Sequence, residues 1–279
     1  MALVSSYDLM KNAKNFAIPA FNIDNLEGAI AVAEVIRNLR TPVIIQTIPR
    51  TLNYGGIATY PAMIKALMSD CSVDYAIHLD HGNSYDLVTQ CANCGFSSVM
   101  IDGSALSLKE NILLTKKVVD YAFPLNISVE GELGIIGGKE ENEFEAEARY
   151  TKVGEAVEFV EATNVSSLAI GVGTAHGVYI GTPVINIKRI AEIHAAIKTP
   201  LVLHGASGLS DTTVSDCIAA GITKINFATE LRQAFTKGLR TALNKDAEVY
   251  DPKLYMRDAI DAIKEVLHSK IRLCYKLNK

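Results

Sequence analysis

The chain alternates short apolar runs with longer amphipathic stretches, and the alternation repeats eight times along its 279 residues. The short runs are rich in β-branched side chains, as buried strands are, and the longer stretches have helical spacing of apolar residues. Eight consecutive strand-then-helix units predict an α/β protein with one parallel (β/α)8 barrel. The predicted strands are residues 17–21, 43–46, 75–79, 98–101, 127–129, 168–172, 201–203 and 225–227.

Nothing in the sequence divides this barrel into separate units. No Ser/Pro-rich linker or abrupt change of composition interrupts the chain, so we expect one domain over residues 1–279. Residues 254–274 follow the eighth unit and carry Met256, Ile260, Ile263 and Leu267 at helical spacing. They predict an additional C-terminal helix, which could pad the barrel or contact a partner.

Composition and charge exclude several classes of function. Hydrophobic residues make up 49% and charged residues 21%, as in folded soluble proteins. The formal net charge of -4 and the lack of a basic stripe argue against a nucleic-acid partner. No signal peptide and no apolar run near the ~20 residues of a membrane span are present. We therefore expect a cytoplasmic protein, without a membrane partner, whose five cysteines are reduced thiols.

Polar side chains stand at the C-terminal end of each predicted strand. In a parallel barrel, catalytic groups collect at that face, whereas residues at the opposite rim serve stability. Chance would place Lys and Ser there as readily as His, Asp and Glu, so the inventory predicts an active site. Its members are Asn22, Gln46, Thr47, Asp80, His81, Asp102, Glu130, Glu132, His176, His204 and Asn226.

Three of these residues are histidines that are each followed by glycine: His81, His176 and His204. One such histidine alone is more often a hydrogen-bonded rim residue than a ligand, and their long spacings form no local zinc signature. Their predicted position on one face is what favours a shared metal site. Three neutral imidazoles leave one position on a zinc-like ion open for water or substrate. His78 is expected to support this site rather than to bind the ion.

Glycine and hydroxyl residues follow the last two predicted strands, in Gly205-Ala206-Ser207 and in Asn226-Phe227-Ala228-Thr229. Glycine lets backbone amides approach an anion, and the loops after strands seven and eight are the usual phosphate site of this barrel. The alternative is a pair of ordinary turns with a helix cap at Thr229. We favour the phosphate site.

Residues 134–143 form a glycine-rich, acidic stretch of the kind that can swing over a site. Glu140 could then reach the substrate as a base. The alternative is a solvated acidic loop, and the residues alone slightly favour that alternative.

Six motifs resemble those of the class II, metal-dependent ketose-bisphosphate aldolases, and the resemblance extends over essentially the whole chain. It implies a TIM barrel in which His81, His176 and His204 bind catalytic zinc. It also implies that Asp80 exchanges a proton with the oxygen on C4 and that Glu140 handles the C3 proton. The motifs are His-Leu-Asp-His-Gly (78–82), Val-Met-Ile-Asp-Gly-Ser (99–104), Val-Glu-Gly-Glu-Leu-Gly (129–134), Gly-Thr-Ala-His-Gly (173–177), Leu-His-Gly-Ala-Ser-Gly (203–208) and Lys-Ile-Asn-Phe-Ala-Thr-Glu-Leu (224–231).

The same resemblance implies further sites and partners. Asp102 and Glu132 can hold a second metal position, and a monovalent cation, Na⁺ or K⁺, is a family feature near the phosphate loops. Arg257 would reach the distal phosphate of a neighbouring subunit's substrate, which implies a homodimer or homotetramer. Dihydroxyacetone phosphate would be held by Gly177, Gly205, Ala206, Ser207, Asn226, Phe227, Ala228 and Thr229.

The substrate implied by the resemblance is a phosphorylated ketose. Residues 226–229 and 254–266 resemble the tagatose-bisphosphate enzymes, whereas fructose-bisphosphate enzymes usually carry Asp where Ala228 stands. We therefore predict cleavage of tagatose 1,6-bisphosphate, with fructose 1,6-bisphosphate as the alternative. Two departures from the family are Gly131, which replaces a usual Ala, and Ala105, which stands where a His is common.

Three other functions fit the residues less well. A Schiff-base aldolase needs a lysine at the C-terminal end of a strand, and Lys224 precedes its predicted strand. Metal-dependent hydrolase barrels usually begin with His-x-His on strand one, where this chain has Asn22-Ile-Asp24. A non-catalytic aldolase-like subunit would not need the intact Asp80 and three histidines.

Overall fold

The computed structural model describes residues 3–134, 136–138, 150–179 and 181–277. Eight of its strands are parallel and form a closed barrel in the order β1-β10-β9-β7-β5-β4-β3-β2, while β6 and β8 form a separate pair. The predicted (β/α)8 barrel is confirmed. The strands are β1 (Ile18–Asn22), β2 (Val43–Thr47), β3 (Tyr75–Gly82), β4 (Ser98–Ile101), β5 (Ser128–Leu133), β6 (Gly137–Gly138), β7 (Ser167–Ile170), β8 (Ala175–His176), β9 (Leu201–Leu203) and β10 (Ile222–Phe227).

Helices surround the barrel. The predicted additional helix is confirmed as α11, the longest in the described part of the chain, which packs against α10 and α2. Within the described ranges, no helix combines the length and apolar character that crossing a membrane requires. The helices are α1 (Ser6–Met10), α2 (Leu26–Leu39), α3 (Pro49–Gly55), α4 (Thr59–Leu67), α5 (Tyr85–Asn93), α6 (Leu108–Ala122), α7 (Val153–Thr163), α8 (Ile187–Ala196), α9 (Asp211–Ala219), α10 (Thr229–Lys245) and α11 (Pro252–Tyr275), with one 3₁₀ turn at Phe123–Leu125.

The barrel interior has an apolar floor and a polar upper part. At the N-terminal end, Met10 of α1 packs with Ile18, Ile44 and Val202, so that this end of the barrel is filled by apolar side chains. Above this floor, the inward positions of the strands carry polar side chains, which bond to one another across the barrel. Because strand side chains alternate between faces, the outward positions of the same strands remain apolar and pack under the helices.

Lys224 is the charged residue whose position was predicted wrongly. It does not precede its strand but lies inside β10, in register with Ile18 of β1, and it is fully buried. The sequence pattern begins the eighth strand after the lysine because an isolated charge is rarely buried. Here the charge is compensated by Glu130 on β5, whose Oε2 lies 2.7 Å from Lys224 Nζ.

Gly131 on β5 lies against Phe159 of α7. A methyl carbon added at Gly131 would lie 2.8 Å from Phe159 Cε1 and 3.4 Å from Val165 Cγ1. Phe159 is itself fully buried, so its ring cannot move into solvent. The aromatic ring therefore fills the space that a side chain at position 131 would occupy.

We expect Gly131→Ala to lower the free energy of unfolding by about 1–3 kcal/mol, because the added methyl group overpacks the helix–sheet interface. Urea denaturation measures this change. Gly154→Ala is the control, since no atom lies within 4 Å of its added methyl group. This helix position should gain roughly 0.5–1 kcal/mol in stability. Equal losses in both variants would contradict the packing explanation.

Candidate metal centre and active site

A bulge near the end of β3 directs two neighbouring side chains toward the same site. The register of β3 against β4 shifts between Leu79 and Gly82, and His81 adopts a left-handed backbone conformation with φ of 49°. In a regular strand, Asp80 and His81 would face opposite sides of the sheet. The extra residue re-aims His81 toward Asp80. Gly82 permits this arrangement, because a side chain there would meet the backbone oxygen of Met100.

The three predicted histidines lie together at the C-terminal end of the barrel. The ring of His81 lies 4.7 Å from the ring of His176 and 4.7 Å from that of His204. One nitrogen from each imidazole falls within 4.8 Å of the other two. His204 follows β9 directly, whereas His176 belongs to the short strand β8, which pairs with β6 outside the barrel. The geometry is that of a candidate ligand set for one ion.

Two carboxylates fix which nitrogens face the centre of this set. His81 Nδ1 lies 3.1 Å from Asp102 Oδ2, and His204 Nε2 lies 2.8 Å from Glu130 Oε1. Because carboxylates accept hydrogen bonds, these two ring nitrogens donate. His81 Nε2 and His204 Nδ1 then carry lone pairs, and they lie 3.0 Å apart. This is the arrangement in which outer carboxylates orient metal-binding imidazoles.

The charge balance around the imidazoles also suits a cation. Burial opposes protonation of His81, but Asp80, Glu132 and Asp102 outweigh it and raise the pKa of His81 well above its usual value. The pKa of His176 is held well below its usual value by burial and by the other two imidazoles. The surroundings therefore favour one added positive charge, which a bound cation would supply while the imidazoles stay neutral.

Glu132 provides a further test of whether the site fits a cation. Its buried Oε2 has no hydrogen-bond partner among the described residues, and it lies 3.7 Å from His204 Nδ1. Burial and the neighbouring charge of Asp102 raise the pKa of Glu132 well above its usual range. An unpaired buried oxygen of this kind is satisfied when a cation binds nearby. Together with His81 and Asp102, Glu132 forms the second candidate ligand group of the described chain.

Asp80 is held by two amide side chains. Asn22 donates to its Oδ2 at 2.8 Å and Asn226 donates to its Oδ1 at 3.0 Å, while Gln46 donates in turn to Asn22 at 2.9 Å. Burial opposes ionisation of Asp80, but the charges of His81, His204, Lys224 and His78 bring its pKa down to about 2. The carboxylate is therefore ionised and fixed in orientation beside the imidazoles.

The polar layer beneath the imidazoles was predicted only in part, because Glu130 and His78 were expected at the site but the pairing of Glu130 with Lys224 was not. Glu130 accepts from both His204 and Lys224, and all three side chains are fully buried. Below them, Nδ1 of His78 lies 2.7 Å from Ser98 Oγ, and burial and Lys224 lower the pKa of His78 to about 3. The signal that could have revealed this layer is Lys224 itself, a lone lysine at the start of an apolar run.

The loops predicted to hold phosphate adjoin the imidazoles. Gly205 adopts φ of 65°, and a side chain on it would lie 2.5 Å from the backbone oxygen of Ala175. Ser207 Oγ accepts from the backbone N–H of Ala228 at 3.3 Å and so links the two loops. Most of the predicted binding residues line one small recess with Asp80 and the imidazoles; they are Gly177, Gly205, Ser207, Asn226, Ala228 and Thr229.

Two of the predicted phosphate-binding residues and Arg257 do not line this recess. The side chains of Ala206 and Phe227 are fully buried behind it, which leaves only their backbone atoms for a ligand. Arg257 is exposed on α11, where it pairs with Glu34 at 3.3 Å and with Asp261 at 3.5 Å. Glu140 lies outside the described residues.

The comparison with known families agrees with this geometry. The sequence model of a protein family described as fructose-bisphosphate aldolase class II matches residues 4–279 of this chain. The chain belongs to the class II fructose-bisphosphate aldolase family. The prediction that it is a metal-dependent aldolase, which cleaves and forms carbon–carbon bonds, is thereby confirmed.

Solved structures similar to this aldolase share its fold over nearly their whole length. The YdjI aldolase from Escherichia coli K12 is 33% identical with a TM-score of 0.86, and the match covers 98% of this chain and 97% of that one. A fructose-bisphosphate aldolase from Campylobacter jejuni is 22% identical with a TM-score of 0.82, over 98% and 94% of the two chains. At that identity the second likeness concerns the fold alone.

In this aldolase, Lys224→Met should lower the free energy of unfolding by about 3–5 kcal/mol, because Glu130 would keep a buried charge without its cation. Equilibrium urea denaturation measures the loss. The double variant Glu130→Gln with Lys224→Met removes both charges and should recover at least half of it. If the single variant stayed within about 1 kcal/mol of the unaltered chain, the ion pair would not be the interaction that stabilises the layer.

Proposed function

We propose that this aldolase is zinc-dependent and reversibly cleaves D-tagatose 1,6-bisphosphate to dihydroxyacetone phosphate and D-glyceraldehyde 3-phosphate. The observation that carries the proposal is the convergence of His81, His176 and His204 beside the ionised Asp80. Nitrogen ligands and a fourth position left open are typical of catalytic zinc sites. A zinc ion held there would polarise the ketone of the substrate and stabilise the negative charge that develops on its oxygen.

Asp80 is proposed to move the proton at C4. Its carboxylate is ionised, and the amides of Asn22 and Asn226 hold both of its oxygens. In cleavage it would accept the proton of the C4 hydroxyl as the bond between C3 and C4 breaks, which releases the aldehyde. Glu140 is proposed to return a proton to C3. The phosphate of the ketone fragment would bind at Ser207 and at the start of α10.

The proposal includes two further ion sites. Asp102 and Glu132 supply a second metal position together with His81, since their ligand atoms also lie within 4.8 Å of one another. The monovalent cation, Na⁺ or K⁺, near the phosphate loops stays a prediction.

The position of Lys224 argues against the Schiff-base route. A lysine nucleophile needs an uncharged amine that faces the substrate. Lys224 Nζ instead lies 2.7 Å from Glu130 in the barrel interior, and the whole side chain is buried. Treatment with borohydride in the presence of substrate should therefore leave the protein without a covalent adduct.

The preference for tagatose rests on residues 226–229. Ala228 occupies the place in which fructose-bisphosphate enzymes usually carry Asp, and its backbone N–H bonds to Ser207. Fructose 1,6-bisphosphate is the second candidate, because the matching family is named for fructose bisphosphate. A non-catalytic subunit is disfavoured, since such a chain has no need to keep Asp80 ionised and oriented.

We also propose a homodimer or homotetramer in which Arg257 reaches a neighbouring subunit's substrate. In this chain the Arg257 guanidinium pairs with Glu34 and Asp261. Contact with a neighbour's phosphate would exchange those pairs for a new one.

Asp80→Asn should lower kcat about 10²- to 10⁴-fold, because the amide cannot accept the C4 hydroxyl proton. Treatment with a chelator should abolish activity of the unaltered protein, and zinc should restore it. Bond cleavage in a coupled assay and zinc content are the measurements. Asp86→Asn, on the outer surface of α5, is the matched control and should keep full activity. Cleavage by Asp80→Asn at the rate of this control would remove Asp80 from the reaction.

With tagatose and fructose 1,6-bisphosphates assayed side by side, we expect the higher kcat/KM for tagatose. A hydrophobic or small pocket residue distinguishes related substrates by roughly 10- to 200-fold, so we expect the ratio of the two kcat/KM values to lie in that range. A higher kcat/KM for fructose would reverse the assignment of the sugar while leaving the aldolase activity intact.

A further inference from the structure

The recess lined by His81 and His176 adjoins a much larger cavity of about 600 Å³. Gly177 and Thr229 line both spaces, so the two spaces are adjacent at these residues. The rest of the outer wall comes from the start of α2, from the segment after β2 and from α10. A substrate anchored by its ketone phosphate at Thr229 has this cavity available for its other end.

One arginine on the cavity wall has no partner among the residues that the structure describes. Arg50 is exposed on α3, directly after the C-terminal end of β2, and within the described ranges it makes no hydrogen bond or ion pair. By contrast, Arg232 on the opposite wall donates to Asp24 through Nε at 2.8 Å and through Nη2 at 3.3 Å. Arg50 is therefore the cation of this wall that remains available to a ligand.

The remaining charges of the wall do not oppose an anion. Asp24 is the acidic residue that lines the cavity, and it is neutralised by Arg232 and by a hydrogen bond of 2.8 Å from Thr51 Oγ1. With Asp24 and Arg232 compensating each other, Arg50 leaves the lining with a net positive charge. A guanidinium binds phosphate and carboxylate through paired, charge-assisted hydrogen bonds.

We propose that Arg50 binds the anionic group at the aldehyde end of the substrate and selects aldehydes that end in a phosphate. This inference rests on the proposed aldolase function and deepens it. Arg50 supplies the recognition from the same chain that supplies the imidazoles. It adds a contact from the same chain to the one proposed for Arg257 of a neighbouring subunit; in this chain Arg257 pairs with Glu34 on the outer surface.

The test compares aldehydes that differ only in their end group, in condensation with dihydroxyacetone phosphate on the zinc-loaded protein. With glyceraldehyde 3-phosphate, Arg50→Met should lower kcat/KM about 10- to 100-fold, mainly through KM, as expected for a lost charged hydrogen bond. With uncharged glyceraldehyde, the same variant should change kcat/KM less than about twofold. Arg50→Lys keeps the positive charge but lacks the paired donors. With glyceraldehyde 3-phosphate, its kcat/KM should therefore lie between those of the unaltered chain and Arg50→Met.

Arg240→Met serves as the matched control, because Arg240 is also an exposed arginine but lies farther along α10. It should behave as the unaltered chain with both aldehydes. A third aldehyde, ending in a carboxylate, separates the two sources of negative charge. If Arg50→Met lost more kcat/KM with the aldehyde that ends in a carboxylate than with glyceraldehyde 3-phosphate, the assignment of Arg50 to phosphate would be overturned.

The outcomes separate this inference from the proposed function. An unaltered chain that condenses neither aldehyde overturns both. Activity of the unaltered chain combined with equal losses for both aldehydes in Arg50→Met overturns the role of Arg50 alone. Equal losses in Arg50→Met and Arg240→Met would overturn it as well, since a general effect of surface charge would then explain them.

Discussion

The carboxylate of Glu130 is the interaction on which the rest of the site depends. One of its oxygens accepts from His204 and the other from Lys224, with all three side chains removed from water. A buried carboxylate of this kind persists only when its charge and its lone pairs are satisfied. Since Glu130 orients His204, the interior ion pair and the candidate metal centre form one connected unit, which lies above the apolar floor of the barrel.

The fold could be predicted because its pattern is local. Each strand is a short apolar run, and Asp80, His81 and His204 follow such runs at the end where barrel active sites lie. The position of Lys224 could not be predicted in the same way. Its place inside β10 depends on Glu130, which is far away in sequence, and the local pattern contains no information about that partner.

The geometry at His81 shows a second limit of sequence reasoning. Adjacent strand residues are expected on opposite faces, so the pair Asp80 and His81 would be divided between the barrel interior and the helices. The bulge in β3 brings both to the site, and Gly82 is the only local sign of it. Likewise, the family departure at Gly131 becomes understandable only when Phe159 is seen in the space of the missing methyl group.

Tyr179 joins the two loops that carry His176 and His204. Its hydroxyl accepts from the backbone N–H of Ala175 at 2.9 Å and donates to the backbone oxygen of Gly205 at 2.7 Å. His176 lies outside the barrel sheet, whereas His204 directly follows a barrel strand. The Tyr179 hydroxyl therefore links the loop of His176 to the loop that the barrel holds in place. Displacement of one loop relative to the other must stretch at least one of these hydrogen bonds, and the positions of the two histidines are therefore mechanically coupled.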